Sequence, residues 1–168
     1  MIARIPRRKT TPSTVLASFD PGVSGALAIY AGAWRVIDLP IMGMGKQVIL
    51  NGAALASELR AASVTYAVIE RVHSWPGGGV AGMFKFGTVF GQILGVVQAL
   101  NIPYELAEPA KWKREMRLAG EDDKKEQARL RALELFPGLH TDLARKRDHN
   151  RAEALLLGQW QLNKQEGM

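Results

Sequence analysis

The order of the short apolar runs is what most constrains this chain. Three lie close together: Val15 to Phe19, Gly25 to Tyr30 and Ala33 to Asp38, joined by Gly-containing turns. Connections this short allow only antiparallel neighbours, so they predict an opening β-meander. Two further runs, Tyr66 to Glu70 and Pro103 to Ala107, are set off by stretches with helical spacing. Strands separated in that way can pair in parallel. The order β-β-β-α-β-α-β-α-α-α predicts an α/β fold in which a five-stranded mixed sheet is flanked by helices.

The helices have their own signals. Asn51 can cap a helix whose Leu55, Leu59 and Ala62 share a face, and Pro109 suits the first turn of one running to about Arg117. Asp122 or Asp123 can start another that ends before Pro137, and a basic stretch from Arg145 to Arg147 leads into a last helix from about Asp148 to Leu162. Between Met83 and Leu100 the spacing is helical, with Gly87, Gly91 and Gly95 at every fourth position, so a sheet or partner helix can approach closely. The uncharged run from Phe86 to Tyr104 includes three Gly, two Gln, Asn, Thr and Pro, which predicts a buried helix of a soluble protein over a membrane span.

Composition narrows the chemistry. At 168 residues a single domain is expected. With no cysteine, disulfide scaffolds, thiolate zinc sites and cysteine nucleophiles are excluded, leaving carboxylates and three histidines as metal ligands. The 22 Lys and Arg against 16 Asp and Glu give a net charge of +6, which suits an anionic partner such as nucleic acid. Residues 1–13 include Arg4, Arg7, Arg8 and Lys9 without the apolar core of a signal peptide, and read as a basic arm on a cytoplasmic protein.

Three acids stand where an apolar pattern should not put them. Asp20 and Glu70 each end a predicted strand, and Glu153 interrupts the apolar stretch Ala152 to Leu157. Singly, each reads as a turn or surface residue. Together they gain meaning, because two central strands can set Asp20 beside Glu70 while a helix crossing that edge adds Glu153. Close carboxylates repel unless a cation lies among them, and hard oxygen donors suit Mg2+ or Mn2+. Asp148, expected to cap the last helix, is a further candidate ligand, with His149 and Asn150 behind it. His73 follows Glu70 closely, and His140 reads as structural.

These residues fall in motifs. Phe19-Asp20-Pro21-Gly22-Val23-Ser24-Gly25-Ala26-Leu27-Ala28, Val68-Ile69-Glu70-Arg71-Val72, Phe84-Lys85-Phe86-Gly87-Thr88-Val89-Phe90-Gly91 and Arg151-Ala152-Glu153-Ala154-Leu155 together resemble the RuvC-type Holliday junction resolvases, over roughly residues 14 to 160. The resemblance implies a ribonuclease H-like fold over 14–168, a homodimer, and Mg2+-dependent hydrolysis of phosphodiesters in four-way DNA junctions. It also implies four acids holding two metal ions, and Asp20, Glu70 and Glu153 match three of them. Where the family carries Asp or His three residues before the last acid, this chain has Asn150, which makes Asp148 the expected fourth ligand. The lysine pattern of the family matches Lys113, Gly120 and Lys124, expected to act in catalysis and to bind DNA; a solvated helix face is the competing reading of both lysines. Lys85 is expected to contact the junction backbone and Trp75 to stack on an unpaired base.

Two other classes share part of this pattern. Sugar kinases and actin-like ATPases use an Asp-x-Gly loop like that at Asp20, but need two similar domains, which 168 residues do not hold. Ribonuclease H-like nucleases acting on flaps or RNA–DNA hybrids share the chemistry, and a non-catalytic DNA-binding module would tolerate Asn150.

Overall fold

The computed structural model describes residues 14–43, 48–73, 79–118 and 124–167. The basic arm, Trp75, Gly120 and the side chain of Lys124 lie outside them. The meander forms as expected: β1 (Leu16–Asp20), β2 (Ala26–Tyr30) and β3 (Trp34–Asp38) pair antiparallel in sequence. On its other side β1 pairs in parallel with β6 (Tyr66–Glu70), which pairs in parallel with β7 (Tyr104–Ala107). The five-stranded order is therefore β3-β2-β1-β6-β7, with β1 at the centre. A two-stranded ribbon of β4 (Ile41–Met42) and β5 (Ile49–Leu50) adds to the expected set.

Alternation along the strands divides the core into two layers. Ala17, Phe19, Leu27, Ile29, Ala67 and Ile69 pack with Leu55 and Leu59 of α1 (Gly52–Ala61) and with Val89, Ile93 and Val97 of α2 (Val80–Ala99). Leu16, Ala26, Ala28, Val68 and Ala107 face the opposite way, toward α3 (Pro109–Glu115), α4 (Lys124–Leu135) and α5 (His149–Glu166). Asn51 caps α1 as predicted, its Oδ1 accepting from the Ala54 N–H at 3.0 Å.

Helix α2 departs from its expectation. Only Val89, Ile93 and Val97 are buried, while Phe84, Gly87, Gly91 and Gly95 lie on an exposed stripe. A Cβ at any of those three glycines would meet nothing within 4 Å. The apolar character of the run thus serves a surface as well as a core. By length and composition this helix could cross a bilayer, but its Val89, Ile93 and Val97 are part of the layer beneath the sheet.

Helix α5 lies across β1 and β2 with little clearance. A Cβ at Gly158 would run into the Trp34 ring and Ser18 Oγ, so only glycine allows this approach. Ser18 is itself buried and donates to the Ala154 carbonyl at 2.7 Å, tying the centre of β1 to α5.

Candidate metal and DNA site

The strand period decides which way the acids point. Leu16, Ser18 and Asp20 share one face of β1, and Tyr66, Val68 and Glu70 share the same face of β6. Parallel register sets Phe19 beside Ile69, so Asp20 and Glu70 end neighbouring strands on the face that α5 covers. Glu153 then enters from α5, one residue before the carbonyl held by Ser18. Oxygen atoms of Asp20, Glu70 and Glu153 lie within 4.8 Å of one another.

Their electrostatics follow from that crowding. Burial pushes the Asp20 carboxyl well above its ordinary range, and the charges of Glu153 and Glu70 push it further. Burial also raises Glu70, against the lowering effect of the Lys113 ammonium. Lys113, on α3, lies 2.6 Å from Glu153 Oε2 and 3.5 Å from Glu70 Oε2. Burial alone would lower its pKa, but the flanking carboxylates of Glu153 and Glu70 outweigh it and hold the ammonium charged. One ammonium among three carboxylates leaves a deficit of positive charge. Three hard oxygen donors in that state fit a divalent cation such as Mg2+.

Asp20 and Glu153 open onto a cleft of about 640 Å³. Its floor is the loop from Pro21 to Gly25, and its walls come from Gly82, Lys85 and Phe86 on α2, Lys125 on α4, and His149 and Asn150 on α5. The loop is folded tightly back, the Gly25 N–H donating to the Gly22 carbonyl at 3.0 Å. A Cβ at Gly25 would strike the Asp20 carbonyl, which explains glycine at that position. Asn150 Nδ2 donates to the Ser24 carbonyl at 2.6 Å, fastening α5 to the loop.

Asp148 requires a correction. It is not among the converging acids or the cleft lining. It lies buried at the end of a short 3-10 turn, Lys146–Asp148. The Arg145 N–H donates to Asp148 Oδ2 at 2.8 Å, and the Arg145 guanidinium to Oδ1 at 2.7 Å. These bonds hold its carboxyl below the ordinary range. Its carboxylate closes the turn back onto Arg145 and makes no capping hydrogen bond to α5, while His149 and Asn150, ranked behind it in sequence, line the cleft.

The remaining predicted residues separate clearly. Lys85 lines the cleft, whereas Lys113 reaches the acids from α3. His73 is exposed and bonds Glu108 at 2.8 Å, away from the acids, and His140 is exposed. Sequence reasoning missed Lys125, although the Lys124-Lys125 pair signals a basic start to α4. It also missed Trp112, whose Nε1 donates to Glu70 Oε2 at 2.8 Å. A tryptophan beside a candidate catalytic lysine was the available signal.

No family model matches the chain, and no curated protein sequence does. Solved structures do. The chain is similar to Thermus thermophilus RuvC in complex with a Holliday junction substrate, at 16% identity and a TM-score of 0.55, over 91% of this chain and 96% of that one. It is also similar to a second Thermus thermophilus RuvC structure, at 19% identity and a TM-score of 0.56, over 92% and 97% of the two chains. At such identity the likeness establishes the fold, a ribonuclease H-like mixed sheet shared with RuvC.

Proposed function

We propose that the chain is a RuvC-type nuclease, a Mg2+-dependent endonuclease that resolves four-way DNA junctions by paired phosphodiester hydrolysis. The observation that carries this reading is the meeting of Asp20, Glu70 and Glu153 at one sheet edge, on the fold of a protein known in complex with a Holliday junction. Asp20, Glu70 and Glu153 would hold Mg2+ or Mn2+, two ions per site, with the Asn150 amide oxygen as the fourth donor in place of Asp148. When bound, the metal supplies an activated water and stabilises the leaving 3′ oxygen, giving 5′ phosphate and 3′ hydroxyl ends.

The chain's own residues do the rest. Lys113, 2.6 Å from Glu153, would offset negative charge on a phosphate entering beside that acid. Lys85 and Lys125 flank the cleft and would neutralise backbone phosphates, with Lys124 and Trp75 as further contacts to the junction. Two sites acting in concert require a homodimer. The exposed α2 stripe of Phe84, Gly87, Gly91 and Gly95 suits a second copy, since small residues permit close helix approach.

The test is cleavage of a panel of junction, flap, RNA–DNA hybrid and duplex substrates with and without Mg2+. Symmetric paired cuts in the junction are expected. Asp20→Asn should lower the rate more than about a thousandfold while junction binding persists. Preferential cutting of flaps or hybrids would move the chain to another ribonuclease H-like activity. Binding without metal-dependent cutting of any substrate would leave a DNA-binding module.

A further inference from the structure

Trp112 has no part in the chemistry proposed above, yet it touches it. The indole is completely buried in the layer beneath α5, and its one polar atom, Nε1, donates to Glu70 Oε2 at 2.8 Å. A buried indole N–H needs an acceptor, and Trp34 and Trp160 find theirs on Gln159 and Glu115, which lie outside the converging acids. This one takes an acid of the candidate metal site. The placement follows from topology, because α3 starts directly after β7, the neighbour of β6, and so passes beneath the strand end that bears Glu70.

Both donors that α3 offers address the same oxygen. Trp112 Nε1 lies 2.8 Å and Lys113 Nζ 3.5 Å from Glu70 Oε2, while Oε1 has no hydrogen-bond partner among the described residues. Lys113 is a poor anchor on its own: its stem is flexible, it is shared with Glu153, and a phosphate would draw it away. The indole is rigid, neutral and locked by packing. It fixes the carboxylate without adding a charge that competes with a cation.

We infer that Trp112 is a positioning residue for Glu70, holding Oε2 through its indole N–H so that Oε1 is the oxygen presented to a divalent ion. The inference rests on the proposed metal site. Partners of this kind behind a ligating side chain commonly change metal affinity by ten- to a hundredfold when removed.

The experiment uses the full chain labelled with 15N-tryptophan, which carries four indole N–H groups. Titration with Mg2+ should move the Trp112 indole resonance, identified as the one lost in Trp112→Phe and displaced in Glu70→Gln. By calorimetry with Mn2+, Trp112→Phe should bind about tenfold more weakly. Its kcat on the junction should fall with KM unchanged, and excess Mn2+ should restore cutting. Unaltered Mn2+ affinity in Trp112→Phe, or no indole resonance responding to Mg2+ in the wild type, overturns the inference. Should Trp112→Phe fail to fold, the resonance displaced by Glu70→Gln decides alone, by moving or not moving with Mg2+. A wild-type chain that binds no Mn2+ overturns the proposed function as well; normal binding with an indifferent Trp112→Phe overturns only the role of Trp112.

Discussion

Two acids, Asp148 in the turn before α5 and Asp20 at the end of β1, show opposite electrostatic treatment. At Asp148 one carboxylate meets a backbone N–H and a guanidinium, and its pKa falls. At Asp20, burial and then two neighbouring carboxylates push the pKa up against a single ammonium. The first acid is satisfied by the chain. The second is left in want of positive charge, and residues so left are the ones that recruit a ligand. Both side chains have little exposed surface. At Asp20 burial dominates, and at Asp148 the bonds to Arg145 outweigh it.

The sharpest way to strain this contrast is Lys113→Met, which removes the only cation found among the acids in the described residues. Junction cleavage should fall about a hundredfold or more, while Mn2+ affinity in the absence of DNA should rise because a competing charge is gone. Calorimetry and single-turnover cleavage measure the two effects, and a parallel loss of both would show that Lys113 holds the acids together instead.

Asp148→Ala should act the other way, on stability and not on chemistry. Loss of the bonds from the Arg145 N–H and guanidinium should lower the denaturant midpoint. Metal affinity of the folded protein should be unchanged.

The pH dependence should also divide. A carboxyl raised by folding makes the metal-free protein most stable at low pH, and that contribution is lost as pH rises from the ordinary value through the folded one. A lowered carboxyl does the reverse, its contribution being present above the ordinary value and lost as pH falls through the folded one. Asp20→Asn should therefore raise the midpoint of the metal-free protein at neutral pH, whereas Asp148→Asn should lower it. Midpoints measured from acid to neutral pH would break the comparison if both variants moved together.

The smallest effect belongs to the cleft wall. Lys125→Ala should weaken junction binding a few-fold and reduce the salt slope by about one, uniformly across sequences. A larger loss confined to one junction sequence would mean that Lys125 reads bases.

Much of this was legible in the sequence because it depends on period alone. Alternation placed Asp20 and Glu70 at strand ends, and an acid inside an apolar helix singled out Glu153. Asp148 was misjudged because an acid that precedes a helix looks the same whether or not an arginine three residues earlier folds back on it. Lys125 was passed over because a basic helix start does not show which side chain reaches a neighbouring cleft until the helix has a phase. The burial expected of α2 failed because apolarity reports what a face avoids, not which neighbour covers it. The ribbon of β4 and β5 is too short to show a period at all.

Gly158 sets a tolerance for the whole site. Because α5 rests on Ser18 and Trp34 through a missing side chain, the height of the helix above the sheet is a fixed length. Glu153 is carried on the same rigid rod, so its reach is gauged from that contact. A bulkier residue at 158 would lift the rod and draw the carboxylate back, and a shorter acid at 153 would stop short with no closer seat to move to. Two positions more than a helical turn apart thus behave as one mechanical dimension, and neither can be altered without retuning the other.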